Sequence, residues 1–290
     1  MRASYYILLF FIKLFAIIPF GLLYVFSDIF YYLFYYVARY RRKVVRQNLN
    51  NCFPEKKEKE RFKIEKAFYR HLCDILLEGM KGFTISKKSL MKRYRILNPE
   101  LMNNYYEKGI DVVSVGAHYA NWEWGIIIAP AQMLHKLYAF YTPVSNKYLD
   151  QYIRNSRSKL GTKLISLKGI REAFRTEREV PTSFFFGADQ SPSNPKAAYW
   201  MTFLNQDTAC MQGLEFFARR YKMPVVYFDV QRVKRGYYTI EIKVLEEEPA
   251  NTKPGELTEK YMRFLEQIII KKPEDYLWSH RRWKHQRTKD

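Results

Sequence analysis

The chain has 290 residues, 48% of them apolar, which is enough for one large domain or two smaller ones with a buried core. Its formal net charge of +20 indicates an acidic partner, which could be nucleic acid, anionic lipid or an acidic carrier protein. Cys52, Cys73 and Cys210 are far apart and include no CxxC pair. This spacing argues against a disulfide framework or a zinc knot and predicts buried free thiols in a reducing compartment.

An apolar stretch, 5–26, opens the chain and is interrupted by the charge of Lys13. It is about the length needed to cross a bilayer, and it lacks the short apolar region and cleavage site of a secretory signal. A second stretch, 29–37, is too short to span alone and is expected at the interface or packed on the protein. Because Lys13 and Pro19 weaken the span, the alternative is a buried hairpin of two hydrophobic helices in a soluble protein.

A basic run at 39–46 follows these stretches. Basic residues beside a membrane segment mark the cytoplasmic side and attract anionic headgroups. We therefore predict a membrane anchor with its basic segment at 1–45 and a cytoplasmic domain at 46–290. The periodicity at 58–83 predicts a helix with His71 packed on its apolar face.

From residue 111 onward, short apolar runs alternate with amphipathic ones. This alternation predicts an α/β domain with a mainly parallel sheet flanked by helices, which a late strand pair makes mixed. The predicted strands are 111–116, 136–144, 163–167, 180–190, 197–204, 224–233 and 237–245. The predicted helices are 122–134, 148–160 (closed by Gly161), 169–177, 209–222 and 256–271.

Polar residues follow three of the predicted strands. They are His118, the pair Asn146 and Lys147, and the pair Asp189 and Gln190. In open α/β sheets reactive groups collect at the carboxyl edge of the strands, so these three places are candidates for a site.

His118 and Glu123 lie in the segment "GAHYANWEWG". Five residues along one helix would put the two side chains about 140° apart. We therefore place His118 in the turn after the strand and Glu123 in the first helical turn, with Asn121 as the N-cap. Glu123 could then accept a hydrogen bond from one imidazole nitrogen and leave the other to remove a proton from a hydroxyl.

Other readings of this pair remain open. Such spacing also occurs by chance, with the histidine simply packed in a core. No metal-ligand spacing surrounds the pair, and no nucleophile-elbow pattern indicates a covalent acyl-enzyme.

The segment resembles the His-x4-Asp/Glu motif of the bacterial lipid A late acyltransferases, the lauroyl and myristoyl transferase family. The resemblance covers nearly the whole chain. It includes the apolar N-terminus, "RRKVVRQNLNNCFPE", "YTPVSNKYLDQYIRNSRSKLG", "GADQSPS" and "YLWSHRRWK". The dyad motif alone indicates only the reaction, whereas the last block and "NKYLD…R…G" are more specific.

The resemblance implies transfer of a fatty acyl chain from acyl carrier protein, or in some relatives coenzyme A, to a hydroxyl of a lipid A precursor. The acceptor is a phosphorylated glycolipid on the cytoplasmic face of the inner membrane. The implied fold is the α/β type of the glycerol-3-phosphate acyltransferases. Because a thioester is already activated, a base and an oxyanion donor suffice, and no cofactor or metal is expected.

Roles for individual residues follow from the same resemblance. His118 is expected as general base and Glu123 as the group that orients it. Asn121 matches the asparagine that usually precedes Trp-Glu in this family, and it is expected to contact substrate. The expected substrate contacts are Arg154, Arg157, Asp189, Gln190, Arg281 and Arg282. The last two lie in a terminal segment that we expect to be ordered near the membrane or substrate phosphates. One departure from the family pattern is Phe203-Leu204-Asn205, where Phe-Phe-Gly is common.

Three rival functions remain. The same chemistry could act on another glycolipid, an aminolipid or a lysophospholipid. The charge could serve nucleic-acid binding, but no helix-turn-helix or RNP-like pattern is present, so no nucleic-acid partner is expected. A catalytically inactive scaffold is disfavoured by the presence of both His118 and Glu123.

Overall fold

The computed structural model describes residues 2–287. Two helices open the chain: α1 (Arg2–Ile17) and α2 (Phe20–Tyr32), which continues as one π-helical segment, Leu33–Val37. The apolar stretch 5–26 does not form one continuous helix, because the helix breaks at Ile18 and Pro19, and proline lacks the amide hydrogen that a continuing helix needs. By length and composition, Phe20–Val37 is instead a stretch that could cross a membrane.

Helices α3 (Arg42–Cys52) and α4 (Glu58–Gly82) follow, so the helix predicted at 58–83 is confirmed. His71 is a packed residue on α4 and is only 1% exposed, as expected. Cys52, Cys73 and Cys210 are free and buried, which confirms that prediction too.

Seven strands form the central sheet in the order β1-β9-β8-β2-β5-β3-β4. Neighbouring strands are parallel, except that β8 and β9 form an antiparallel hairpin, so the sheet is mixed and mainly parallel as predicted. The strands are β1 (Tyr94–Ile96), β2 (Val112–Gly116), β3 (Lys136–Tyr141), β4 (Lys163–Ser166), β5 (Thr182–Gly187), β8 (Val225–Lys234) and β9 (Tyr237–Glu246).

A separate antiparallel hairpin consists of β6 (Tyr199–Phe203) and β7 (Gln206–Cys210). The sequence predicted β6, but it assigned the end of β7 to a helix and did not predict β1. The remaining helices are α5 (Lys87–Arg93), α6 (Pro99–Glu107), α7 (Trp122–Ile128), α8 (Lys147–Ser158), α9 (Ile170–Arg175), α10 (Gly213–Tyr221) and α11 (Glu256–Lys271).

Aromatic side chains form much of the core between the sheet and its helices. Phe174 of α9 stacks on Phe184 of β5 with ring centroids 4.0 Å apart, and on Phe217 of α10 at 4.4 Å. Trp124 of α7 is fully buried and donates from Nε1 to the backbone oxygen of Glu78 at 2.8 Å. Burial of these large rings stabilises the packing of helices on both faces of the sheet.

Glu78 of α4 is a buried carboxylate that connects three elements. It accepts hydrogen bonds from Tyr24 of α2 at 2.8 Å, from Tyr238 of β9 at 2.7 Å and from Nδ2 of Asn121 at 2.6 Å. Burial raises the pKa of Glu78 to about 7, because the charged form loses its hydration and the three donors only partly compensate.

We predict that Glu78→Gln changes how stability depends on pH. With a folded-state pKa above its unfolded value, Glu78 contributes stability below about pH 4.5 that is lost as pH rises through about 7. Thermal unfolding of both proteins in detergent should therefore show the glutamine variant gaining relative to the parent between pH 5 and pH 8, by up to about 3 kcal/mol. Melting temperatures that run parallel across this range would contradict the assignment.

Candidate active site

The pairing of β2 with β5 positions two side chains at the carboxyl edge of the sheet. Their parallel register places Gly116 opposite Gly187. His118 and Asp189 each lie two residues beyond this pair, so both strands deliver their polar residues to the same place. The prediction that strand-end residues collect at this edge is confirmed for His118 and Asp189.

The Asp189 carboxylate holds His118 by two atoms. Oδ1 lies 2.7 Å from the imidazole Nδ1, and Oδ2 accepts a hydrogen bond from the backbone N–H of His118 at 3.1 Å. Asp189 is 1% exposed, whereas the side chain of His118 is 26% exposed. A buried carboxylate at Nδ1 places the proton there and leaves Nε2 as the acceptor.

The charges around His118 make it a stronger base. Burial lowers the pKa of the imidazole, but the Asp189 carboxylate raises it, with a further contribution from Glu123, and the net direction is upward. Burial alone would raise the pKa of the Asp189 carboxyl, but the facing imidazole and its hydrogen bonds bring it below its usual value. The two groups therefore stabilise each other's charged forms.

Glu123 does not make the hydrogen bond to His118 that the sequence predicted. Its two oxygens accept from Arg157 of α8, from Nε at 2.9 Å and from the terminal nitrogen at 2.5 Å. The first turn of α7 faces α8, so the bidentate pairing of carboxylate and guanidinium takes precedence. The role of orienting His118, assigned to Glu123, belongs in this structure to Asp189, which had been expected to contact substrate.

Asn121 caps α7 as predicted, since its side-chain oxygen accepts from the backbone N–H of Trp124 at 2.9 Å. Its amide group donates to Glu78, and the residue is completely buried. Both ends of the side chain are thus occupied, so the expectation that Asn121 contacts substrate is corrected to a structural role.

The C-terminal segment forms backbone hydrogen bonds with the turn that carries His118. Ala120 has a left-handed backbone, with φ of +48°, and donates its N–H to the oxygen of Asp275 at 2.9 Å. Leu277 donates to the backbone oxygen of His118 at 3.2 Å, and Tyr119 forms a bridge with Tyr276. These backbone contacts hold a turn that a residue other than glycine adopts only at some cost.

His118 lines a cavity of about 510 Å³ at the carboxyl edge of the sheet, which we call the histidine cavity. Glu123, Arg157 and Gln190 also line it. Its walls are otherwise mainly apolar, from Ala117, Trp122, Ile126, Ala139, Phe140, Leu164, Leu167, Phe185 and Met211.

A second cavity of about 610 Å³, which we call the apolar groove, lies on the other side of a shared wall. Trp122, Glu123 and Arg157 form this wall, because they line both cavities. The groove runs along α4 and reaches the π-helical segment at Phe34, the following residues Tyr40 and Arg41, and the C-terminal segment. Its other lining residues are Phe34, Tyr40, Arg41, Leu72, Ile75, Leu76, Gly79, Met80, Phe83, Trp124, Ile127, Ile153, Ser156, Leu277, Ser279 and His280.

The remaining predicted substrate residues are in different environments. Arg154 and Arg281 are exposed, and neither lines these two cavities. Arg282 is 2% exposed and donates to the backbone oxygen of Ala209 at 2.7 Å, so its expected contact with substrate is corrected to a structural one. The terminal segment is ordered as predicted, with Trp278 fully buried in the core. Asn146 caps α8 and takes no part in the site.

The departure at Phe203-Leu204-Asn205 is accommodated by a tight turn between β6 and β7. Leu204 and Asn205 both have positive φ, of 48° and 61°, as a two-residue hairpin turn with both central residues left-handed requires. Within residues 2–287, no cluster of three or more His, Cys, Asp or Glu residues is arranged to hold a metal ion.

The site combines the imidazole of His118, whose Nε2 can accept a proton, with the guanidinium of Arg157 and two mainly apolar cavities. This combination is suited to acid–base chemistry on a lipid-like substrate. Residues 1–285 match the family described as bacterial lipid A biosynthesis acyltransferase. The chain belongs to this family and is an acyltransferase of lipid A biosynthesis.

Individual relatives agree with the family assignment. The chain is 25% identical over 253 residues to a lipid A biosynthesis lauroyltransferase of Escherichia coli, covering 84% of this chain and 79% of that protein. It is 24% identical over 249 residues to a palmitoleoyltransferase of the same organism, with the same coverage. A lipid A biosynthesis acyltransferase of Haemophilus influenzae is 24% identical over 256 residues, covering 86% of this chain and 79% of the relative.

Asp189→Asn and Glu123→Gln remove the same charge from two places, and we predict different effects on acyl transfer. Loss of the Asp189 carboxylate lowers the pKa of His118 and permits the wrong tautomer, so kcat should fall on the order of 10²–10⁴-fold, with the acid limb moving to lower pH. Glu123→Gln should move the acid limb less, because Glu123 acts on His118 only through space. A larger shift in the Glu123 variant than in the Asp189 variant would contradict these roles; pH–rate profiles measure both.

Proposed function

We propose that the protein transfers a fatty acyl chain from acyl carrier protein, or from coenzyme A, to a hydroxyl of a lipid A precursor. The product is a secondary acyloxyacyl ester, formed at the cytoplasmic face of the inner membrane. The observation that carries the proposal is the His118–Asp189 pair, with Nε2 available at a cavity whose walls are mainly apolar.

The reaction at His118 is a direct acyl transfer. Nε2 removes the proton from the acceptor hydroxyl as its oxygen attacks the thioester carbonyl carbon. The carbon–sulfur bond then breaks, and the imidazolium returns the proton to the departing thiolate. Asp189 stabilises the positive charge that His118 carries between these two steps.

We propose that Arg157 acts on the carbonyl oxygen. It lines the histidine cavity, and its positive charge would stabilise the oxyanion that develops when the hydroxyl attacks. Glu123 holds the guanidinium by two hydrogen bonds, so it positions Arg157 rather than His118. We propose Gln190 as a further contact in this cavity, and Arg154 and Arg281 as surface contacts for an acidic partner.

The cavities and the net charge fit the proposed substrates. Apolar walls suit acyl chains, which would occupy the histidine cavity and the apolar groove. A net charge of +20 suits both a phosphorylated glycolipid and an acidic carrier protein. We retain the division into an anchor at 1–45 and an acyltransferase domain at 46–290, with a fold of the glycerol-3-phosphate acyltransferase type, as proposals.

The test is transfer by the purified full-length protein to a lipid A precursor, followed by mass spectrometry of the lipid. We predict one added acyl chain with acyl carrier protein or coenzyme A as donor, each supplied separately, and a loss on the order of 10²-fold or more in His118→Ala.

Lys136→Ala is the matched control, because this exposed residue begins β3 at the amino end, away from the site. It should retain the parent's activity. An acylated lysophospholipid with no acylated lipid A precursor would overturn the proposed acceptor, and full activity in His118→Ala would overturn the proposed base.

A further inference from the structure

Helix α2 lies along α4 for its whole length, in the antiparallel direction. Lys81 donates to the backbone oxygen of Ile18 at 2.8 Å, and at the other end Tyr35 packs against Tyr69 with ring centroids 5.1 Å apart. Between these ends, polar contacts join Tyr24 to Glu78, Ser27 to Asp74 at 2.6 Å and Arg70 to the ring of Tyr31 at 5.1 Å.

Arg235, in the turn between β8 and β9, fixes the same helix to the body of the protein. It bonds Asp28 of α2 at 2.7 Å and Asp74 of α4 at 2.6 Å. Ser27 is completely buried in this contact. Helix α2 is therefore packed against α4 over its length and is not attached at one end alone.

These contacts are incompatible with α2 crossing a bilayer in this conformation. The stretch Phe20–Val37 is about 27 Å long, close to the thickness of the hydrocarbon region. If it crossed, Arg70, Asp74, Glu78 and Arg235 would lie at the depth of the acyl chains, where charged side chains are costly.

The other face of the same stretch is apolar and exposed. Its large side chains are Leu22, Val25, Ile29, Tyr32, Leu33, Tyr36 and Val37, from 46% to 73% exposed. The exposed basic residues Arg39, Arg41 and Lys43 follow directly. An apolar face bordered by tyrosines and then by basic residues matches a surface that meets the acyl region and anionic headgroups of one leaflet.

We propose that α2 lies in the plane of the membrane, with this apolar face in a single leaflet and α4 on the aqueous side. The proposal rests on the membrane location given under the proposed function, and it replaces a spanning anchor with a partly immersed one. The occupant of the exposed face is lipid.

This orientation gives a lipid substrate a direct path to the active site. Phe34, Tyr40 and Arg41, at the end of the immersed stretch, line the apolar groove, whose far wall includes Arg157 and Glu123. A glycolipid can then enter from the side of the leaflet and keep its other chains in the membrane, with its reacting end directed along the groove towards Trp122, Glu123 and Arg157, which also line the histidine cavity.

The experiment measures depth along the helix. Leu22→Cys, Val25→Cys, Ile29→Cys and Leu33→Cys are each labelled with bimane in the full-length protein, whose own cysteines are buried. The labelled proteins are placed in vesicles of phosphatidylethanolamine and phosphatidylglycerol with nitroxides at shallow and deep positions. Lys63→Cys, an exposed position on α4, is the matched control.

A helix in the plane predicts the same shallow depth at all four positions and no quenching at Lys63→Cys. A spanning helix predicts depths that change by about 16 Å between Leu22 and Leu33, which would overturn the proposal. Four unquenched positions would also overturn it and would indicate a protein partner such as a second copy. Acyl transfer measured on the same vesicles separates the two proposals, because an inactive protein with uniform depth contradicts only the function.

Discussion

The contact between His118 and Asp189 depends on the parallel pairing of β2 with β5. Their register brings Gly116 opposite Gly187, and two residues later His118 meets Asp189. A shift of one residue along either strand would turn its side chains to the opposite face and remove the hydrogen bond. The stacked aromatic side chains behind β5 and the backbone contacts of the C-terminal segment both serve to keep this register and this turn fixed.

Two side-chain pairs with separate contacts follow from this arrangement. Asp189 acts on His118 and sets which nitrogen carries the proton, whereas Glu123 acts on Arg157 and fixes a positive charge at the wall between the two cavities. The two ends of the His-x4-Glu motif thus belong to different side-chain pairs. His118 lies in the turn after β2, Asn121 caps α7, and Glu123 lies in the first turn of α7. The spacing of the motif therefore does not require a direct hydrogen bond between His118 and Glu123.

Much of the fold was predictable from the sequence, because strand and helix periods are local properties. The helix at 256–271 and the strand pair around Arg235 were predicted correctly. Of the three polar clusters expected at the sheet edge, the structure brings together His118 and Asp189, whereas Asn146 caps α8 instead. The partner of His118 was not predicted, since strand order depends on packing across the sheet, and Asp189 lies 71 residues away. A prediction that β2 and β5 are neighbours would have found it.

Burial accounts for two further errors. Arg282 and Asn121 have polar side chains that were predicted to contact substrate. In the structure both are buried and form hydrogen bonds with other groups of the protein. The division of 5–26 into two helices has a local cause. Pro19 interrupts the helix, and the mean apolarity of the segment, on which the expected span was based, does not register such a break. The charged side chains of α4 that contact α2 limit how α2 can lie in a membrane. These contacts join residues far apart in the sequence, so the sequence alone did not reveal them.

The protonation state of the His118 ring decides whether this histidine can act as the base. Nitrogen-15 NMR of the full-length protein, labelled at histidine and assigned by comparison with His118→Gln, reports which ring nitrogen carries hydrogen. The account predicts that neutral His118 is protonated at Nδ1 and bare at Nε2, and that Asp189→Asn abolishes this preference while Glu123→Gln preserves it. A proton on Nε2 in the parent protein would contradict the role of His118 as the base.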